Sequence, residues 1–233
     1  MSSNKRVCLD AGHGGLDSGA LGPNGLKESA MTLDVVLRAK EILEQRMDVV
    51  LTRHDDTFRS LEERVGICNN LWCDSFVSVH FNSADSQDAE GREIYTTPGQ
   101  NNSDKLADCI EAQSFRIIPY QRTRLGTEDG DPDKEANFYV IRKTDCPAVL
   151  VEGEFIHTER GSEWINNPDN RQKIAEAIAC GVMDYHEIDY SDSAKTLVTP
   201  VPSVDLHTLP TVKQRLDRLE DSIKRLMDHC NLT

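Results

Sequence analysis

Two patterns of apolar residues alternate along the chain before residue 189. Short runs rich in β-branched residues predict strands at 6–11, 48–53, 75–82, 92–97, 138–141 and 148–155. Apolar residues that recur at helical spacing predict helices around 31–43, 61–72, 103–117 and 168–187. This alternation of strands and helices is typical of an α/β fold with a largely parallel or mixed sheet.

The pattern changes near residue 189, where prolines, serines and threonines replace the apolar periodicity. We therefore predict a first domain at 1–188, a linker at 189–210 and a separate tail at 211–233.

In the tail, apolar residues recur in the alternating steps of a heptad, at Val212, Leu216, Leu219, Ile223, Leu226 and Cys230. This seam predicts a short coiled-coil helix that joins copies of the chain into a homo-oligomer. An amphipathic helix that docks on its own domain remains the alternative, because fewer than three heptads are marginal for an isolated coil.

Charge and hydropathy exclude several classes of protein. The 233 residues carry 26 Lys plus Arg against 40 Asp plus Glu, a formal net charge of −14. Such acidity argues against a nucleic-acid-binding protein. The sequence contains no apolar run of the roughly 18 residues that a membrane span needs. Its first residues lack the apolar core of a signal peptide, which predicts a protein made and held in the cytoplasm.

The cysteines suggest no cross-linked framework. Seven are scattered along the chain without a CxxC pair, at positions 8, 68, 73, 109, 146, 180 and 230. We interpret them as reduced structural thiols rather than as disulfides or a zinc knuckle.

Three polar residues at element ends are candidates for a metal site. His13 lies in a glycine-rich loop after the first strand, Glu28 opens the first helix, and His80 is near the end of the strand 75–82. Considered alone, His13 could be a loop histidine with no function, and Glu28 could be a carboxylate that stabilises the start of a helix. Together, two histidines and one glutamate are the three-ligand set of a catalytic zinc ion. Asn82, two residues after His80, is expected on the same side of its strand.

Two carboxylates interrupt the last apolar strand. A buried, unpaired carboxylate is costly, so we expect Glu152 to end this strand at the cleft and to act there as the general base. Strand periodicity places Glu154 on the same side, which makes it the competing candidate.

Seven ordered motifs give the chain a family resemblance. They are Asp10-Ala-Gly-His-Gly-Gly, Asp17-Ser-Gly-Ala, Asn24-Gly-Leu-Lys-Glu28, Leu51-Thr-Arg53, Ser60-Leu-Glu-Glu-Arg64, Ser78-Val-His-Phe-Asn82 and Pro147-Ala-Val-Leu-Val-Glu152. Over residues 6–187 the chain resembles the zinc-dependent N-acetylmuramoyl-L-alanine amidases of type 3.

The resemblance implies a twisted, mostly parallel sheet flanked by helices and a fixed set of site residues. His13, Glu28 and His80 would hold Zn²⁺, and Glu152 would be the catalytic glutamate. The implied substrate is bacterial peptidoglycan, cut between N-acetylmuramic acid and the L-alanine of the stem peptide. The sequence departs from the family pattern at Gly153-Glu154-Phe155, where the extra carboxylate of Glu154 could crowd the site or contact substrate.

Three further residues are candidates for contacts with the substrate. Asn82 could bind substrate or hydrogen-bond to a metal ligand. Arg122 and Arg124 could bind stem-peptide carboxylates, although a solvated loop pair is an equal alternative.

The missing export signal favours a phage endolysin, stored in the host cytoplasm and acting on the cell wall after release. Three alternatives stay open: a sporulation enzyme released when the mother cell lyses, a non-catalytic oligomeric interaction protein on the same fold, and a metallohydrolase acting on a cytosolic acyl amide.

Overall fold

A six-stranded sheet forms the centre of the protein in the computed structural model, which describes residues 5–126 and 133–190. The strands are β1 Arg6–Ala11, β2 Asp48–Leu51, β3 Ser75–Asn82, β4 Glu93–Thr96, β5 Lys134–Glu135 and β6 Ala148–Phe155. Their order across the sheet is β2-β1-β3-β6-β4-β5. β1, β2, β3 and β6 run parallel, β4 is antiparallel to β6, and β5 is parallel to β4. The mostly parallel, mixed sheet predicted from the sequence is confirmed.

Helices cover both faces of this sheet. They are α1 Glu28–Leu43, α2 Leu61–Asn70, α3 Asn102–Ile117, α4 Tyr139–Lys143, α5 Glu159–Asn166 and α6 Pro168–Tyr185. Apolar residues of α1, α3 and α6 pack on one face in a large core, and those of α2 and α4 pack on the other in a smaller one. The α/β fold is therefore a three-layer arrangement.

Local sequence signals fix the start of α2, which contributes to the site described below. The Ser60 hydroxyl accepts a hydrogen bond from the Glu63 backbone N–H, and the Glu63 carboxylate accepts one from the Ser60 N–H. This capping box satisfies backbone donors that the first turn leaves unpaired. It sets the helix so that Arg64 points beneath the end of β1.

One predicted strand is wrong. Residues 138–141 lie at the start of α4, with Phe138 as its N-cap residue and Val140 and Ile141 buried. A short apolar run of this kind fits a buried strand or a single helical turn equally well, so periodicity alone could not separate the two. The two-residue strand β5 and the helix α5 were not predicted: β5 is too short to show a period, and α5 has only two apolar residues, Trp164 and Ile165.

Some predictions concern residues outside the described part of the chain. These are positions 191–210 of the predicted linker and the predicted coiled-coil helix 211–233. Within residues 5–126 and 133–190, none of the helices has the length and apolar character needed to cross a lipid bilayer.

A buried ion pair lies beneath the carboxyl end of β1. Asp10 is 1% exposed, and its carboxylate accepts hydrogen bonds from Arg64 Nη1 at 2.7 Å, Thr52 Oγ1 at 2.6 Å and Ser78 Oγ at 2.7 Å. Burial opposes charge on this carboxyl, but the guanidinium and the two hydroxyls hold the pKa of Asp10 below its usual range. Asp10 and Arg64 therefore form a charged pair inside the protein.

Removal of the Arg64 charge should strongly destabilise the fold. We predict that Arg64→Met lowers the free energy of unfolding by about 3–5 kcal/mol, because it leaves the Asp10 carboxylate buried without its cation. Urea denaturation followed by circular dichroism measures this loss. The matched control is Lys40→Met in the partly exposed pair with Glu44, which should cost at most about 1 kcal/mol. Equal losses of unfolding free energy in the two variants would contradict a buried, charged Asp10–Arg64 pair.

Candidate metal centre

Three side chains from separate elements meet at one edge of the sheet. His13 follows β1, Glu28 is the first residue of α1, and His80 lies in β3. His13 Nε2 is 3.1 Å from Glu28 Oε1, and His80 Nδ1 is 3.0 Å from the same oxygen. All three donor atoms lie within 4.8 Å of one another. The structure thus brings together the three residues that the sequence predicted as zinc ligands.

Glycines make this close approach possible. A Cβ atom at Gly12 would lie 2.3 Å from His80 Cε1, and one at Gly19 would lie 2.6 Å from both the Glu28 carboxylate and the His13 ring. Gly19 also has a φ of 65°, a conformation that favours glycine. His13 itself has a φ of 62°, which is uncommon for a residue with a side chain. The loop between β1 and α1 is therefore shaped to aim His13 at Glu28.

Two buried arginines hold this loop through its backbone. Arg53 Nη2 donates to the carbonyl oxygens of Gly12 at 2.8 Å and Ser29 at 2.7 Å, which connects the loop to the first turn of α1. Arg64 Nη2 donates to the carbonyl oxygen of His13 at 2.7 Å. These charge-assisted bonds fix the loop from below and resist its displacement.

Hydrogen bonds from outside the group orient two of its members. The Asp17 carboxylate lies 2.8 Å from His13 Nδ1, so the opposite ring nitrogen, Nε2, faces Glu28. The Glu28 carboxylate accepts from the backbone N–H groups of Ala20 at 2.8 Å and Phe81 at 3.0 Å. Asp17 was not among the predicted site residues. Its position four residues after His13, within the same glycine-rich segment, was the available signal.

The group is strongly coupled electrostatically. Burial favours the neutral imidazole, yet the carboxylates of Glu28 and Asp17 raise the pKa of His13 to about 9. Burial likewise opposes charge on Glu28, but the two imidazoles hold its pKa far below the usual range. The cluster therefore stabilises positive charge next to a carboxylate.

The donor set fits zinc. Imidazole nitrogens and a carboxylate oxygen are common ligands of Zn²⁺, and three protein ligands leave one position open, as in catalytic sites. His13, Glu28 and His80 are the residues that could hold the ion.

Glu152 completes the site from β6. Its Cα pairs with that of His80 across the parallel strands, and its Oε2 atom is buried with no hydrogen-bond partner among the described residues. Burial raises the pKa of Glu152 to about 7, and the charges of Glu28 and Glu93 add to this effect. A carboxyl with one unpartnered oxygen and a pKa near neutrality is suited to accept and return a proton. Unlike the sequence prediction, Glu152 lies within β6 rather than at its end.

A cleft of about 440 Å³ opens over these residues. Its lining includes the titratable side chains of Asp17, His13, His80 and Glu152 and the aromatic side chains of Phe58, Phe138 and Tyr139. The site is thus accessible to a substrate along a partly aromatic wall.

Glu154 is not brought to this group. The register between β3 and β6 shifts after the His80–Glu152 pair, so that Asn82 pairs with Phe155. The irregularity breaks the two-residue period that would place Glu154 beside Glu152. The Glu154 carboxylate instead accepts hydrogen bonds from the backbone N–H of Gly91 at 2.5 Å and from Gln121 Nε2 at 3.2 Å.

Glu93 is a site neighbour that the sequence analysis missed. It is 3% exposed, and its Cα pairs with that of Glu152 across the antiparallel strands. Asn82 Nδ2 and Arg124 Nε donate to its carboxylate, each at 2.6 Å, and Lys134 Nζ donates at 2.7 Å. Two of the predicted substrate-binding residues, Asn82 and Arg124, therefore bind Glu93 in this structure.

Arg122 lies apart from this network. Its side chain is 61% exposed, and its nearest ion-pair partner is Glu90 at 3.8 Å. Such a pair is solvated and weak.

The fold and the site together define a class of protein. Two histidines and a glutamate that converge beside a further carboxylate, on a mixed α/β sheet, are typical of metal-dependent hydrolases. A family model described as N-acetylmuramoyl-L-alanine amidase matches residues 7–184. The chain belongs to this family, Amidase_3.

Individual relatives agree with this assignment. The N-acetylmuramoyl-L-alanine amidase LytC of Bacillus subtilis is 38% identical over 183 residues, which cover 77% of this chain but 35% of LytC. The endolysin of Bacillus phage SPP1 is 35% identical over 187 residues, covering 78% of this chain and 66% of the endolysin. The structure of the amidase AmiC2 of Nostoc punctiforme has a TM-score of 0.73 at 33% identity, covering 80% of this chain and 99% of that one. This chain therefore spans about a third of the length of LytC.

The Asp17 hydrogen bond should contribute to metal affinity. We predict that Asp17→Asn weakens zinc binding about 10- to 100-fold, because the carboxylate no longer orients His13 or raises its basicity. Calorimetric titration of the metal-free protein with zinc, in competition with a chelator, measures the change. Asp88→Asn, at an exposed carboxylate outside the group, is the control. Equal affinity in both variants would show that the bond has no such role.

Proposed function

We propose that this protein hydrolyses the amide bond between N-acetylmuramic acid and the L-alanine of the stem peptide in bacterial peptidoglycan, and that it depends on zinc. The observation that carries the proposal is the unpartnered carboxylate oxygen of Glu152 beside the convergent His13, Glu28 and His80. Membership in a family described by this activity supports the choice of substrate.

Three residues bind the metal ion, and a fourth transfers protons. His13, Glu28 and His80 hold the zinc ion, which when bound supplies a Lewis acid that acidifies water and polarises a carbonyl. Glu152 accepts the proton of the attacking water and returns it to the leaving nitrogen of L-alanine. Burial of the Glu152 carboxyl raises its pKa in the metal-free protein, which favours the step in which it accepts the proton of water.

Loss of the Glu152 carboxylate should abolish most turnover without loss of the metal. We predict that Glu152→Gln lowers the rate of amide cleavage on the order of 10²- to 10⁴-fold, the usual effect of losing a general acid–base group. The measurement is the release of new amino termini of L-alanine from purified peptidoglycan, with zinc content determined on the same samples.

Glu154→Gln is the matched control, because its side chain binds Gly91 and Gln121 outside the cleft. It should keep a rate within a few-fold of the wild type. Near-wild-type cleavage by Glu152→Gln, or an equal loss in both variants, would reject Glu152 as the catalytic glutamate. Thermal unfolding of each variant checks that the fold is intact.

Zinc dependence has a separate test. Incubation with a chelator, followed by its removal, should abolish amide cleavage, and stoichiometric zinc should restore it. Full activity in verified metal-free protein would contradict the proposal. Parallel assays on muramyl peptides and simple acetylated amines distinguish wall hydrolysis from action on a small acyl amide.

The biological role that we propose is that of a phage endolysin, held in the host cytoplasm until release. The similarity to the endolysin of phage SPP1 supports this choice. A sporulation enzyme with the same activity is the alternative.

We also propose that residues 211–233 join copies of the chain. The support is the heptad pattern in the sequence. Light scattering should give the full chain a mass that is a multiple of one chain, and a chain ending at Tyr190 the mass of a monomer. The shorter chain should also lyse purified walls less efficiently, because linked catalytic domains gain avidity. Equal masses and equal specific activities would reject this role.

A further inference from the structure

Four cysteines from three separate parts of the chain converge on the face of the sheet covered by α2 and α4. Cys8 lies in β1 and Cys68 in α2, while Cys73 follows α2 and Cys146 precedes β6. The sulfur atoms of Cys8, Cys68 and Cys73 all lie within 4.8 Å of one another. The sulfur of Cys146 is 3.6 Å from that of Cys68.

These distances suit a shared ion better than a disulfide. Sulfurs that bind one zinc ion tetrahedrally at about 2.3 Å lie about 3.8 Å apart. A disulfide bond requires about 2.05 Å, and all four residues are free thiols. Cys8, Cys68 and Cys73 form the mutually close group, and Cys146 is placed beside it by its contact with Cys68.

The surroundings of three of these sulfurs are closed and apolar, and Cys146 is partly exposed beside them. Cys8, Cys68 and Cys73 are at most 9% exposed and lie in the smaller core, together with Val65, Phe76 and Val140. Thiols are weak hydrogen-bond donors, so contact between them alone offers little stabilisation. The other described cysteines, Cys109 and Cys180, are not part of this cluster.

The thiols of the cluster share protons unevenly. Hydrogen bonds from Cys68 and Cys8 lower the pKa of Cys73 to about 4, whereas the pKa values of Cys8 and Cys68 are raised above the usual range, so the proposal rests on the sulfur positions. The thiolate, rather than the thiol, is the form that binds a metal.

We propose that Cys8, Cys68, Cys73 and Cys146 bind a second zinc ion with a structural role. Four thiolates fill the tetrahedral shell and leave no position for water or substrate, which separates this site from the open His13–Glu28–His80 group. The inference rests on the cysteine geometry and is independent of the proposed hydrolytic function.

The location explains what such an ion would stabilise. It would connect β1 to α2 and to the segment that enters β6, across the smaller core. Cys8 precedes Asp10 by two residues, and Cys68 lies one helical turn after Arg64, so the ion would brace the buried pair that supports the His13 loop. The sequence interpretation excluded a zinc knuckle because no CxxC is present. It could not detect ligands that only the tertiary fold brings together.

Metal content of the intact protein tests the proposal. Full-length protein purified in zinc-containing medium without chelators should hold about two zinc ions per chain by elemental analysis. His80→Ala and Cys68→Ser should each hold about one, and Cys109→Ser, at a cysteine outside the cluster, should keep two. Replacement of zinc by cobalt should produce a thiolate-to-metal charge-transfer band that persists in His80→Ala and disappears in Cys68→Ser.

The wild type and His80→Ala decide the question even if Cys68→Ser fails to fold. The proposal would be overturned if the wild type held about one zinc ion per chain, His80→Ala held none, and the cobalt protein showed no charge-transfer band. A Cys68–Cys146 disulfide found by mass spectrometry in the zinc-replete protein would also overturn it. Failure of amide cleavage with two zinc ions bound would contradict the proposed function and leave this inference intact.

Discussion

The buried guanidinium groups of Arg53 and Arg64 are the constraint on which the site depends. The chain leaves β1 inside the protein, where unpaired carbonyl oxygens would be costly, and these two side chains donate to the carbonyls of residues 11–13. Arg64 is tolerated there because Asp10 supplies the opposite charge. The same bonds hold His13 in its left-handed conformation, aimed at Glu28.

Strand alternation and one irregularity then determine which carboxylate serves the site. His80 and Glu152 face each other across β3 and β6, so the imidazole and the carboxyl share the cleft. The register shift that follows turns Glu154 toward Gly91 and Gln121. Glu152 and Glu154 therefore have different surroundings. One Glu152 oxygen has no hydrogen-bond partner among the described residues, and the Glu154 carboxylate is hydrogen-bonded to Gly91 and Gln121.

Much of the fold and the centre of the site could be predicted from the sequence. The bounds of β1, β3 and β6 were predicted residue for residue, because these buried strands are short, mostly apolar runs bounded by polar or turn residues. The convergence of His13, Glu28 and His80 was predicted from their motifs and not from their spacing, since 67 positions separate the first from the last. Residues 138–141, by contrast, form helix in a stretch too short to show any period.

The contacts that could not be predicted are those that only tertiary structure creates. Glu93 reaches Glu152 through antiparallel pairing of β4 and β6, and Asn82 and Arg124 reach Glu93 from distant segments. The four-cysteine cluster has the same origin, because Cys8, the Cys68–Cys73 pair and Cys146 come from three distant parts of the chain. A single sequence contains no signal for such distant contacts. The hydrogen bond of Asp17 to His13 could have been predicted, because the two residues are four positions apart.

Anomalous X-ray diffraction at the zinc edge, on crystals grown with zinc, tests the central claim most directly. The account predicts an anomalous peak about 2.0–2.2 Å from His13 Nε2, His80 Nδ1 and a Glu28 carboxylate oxygen, with Glu152 nearby but not bound to the ion. An empty position between these three side chains, or a peak held by Glu152 in place of one of them, would contradict it.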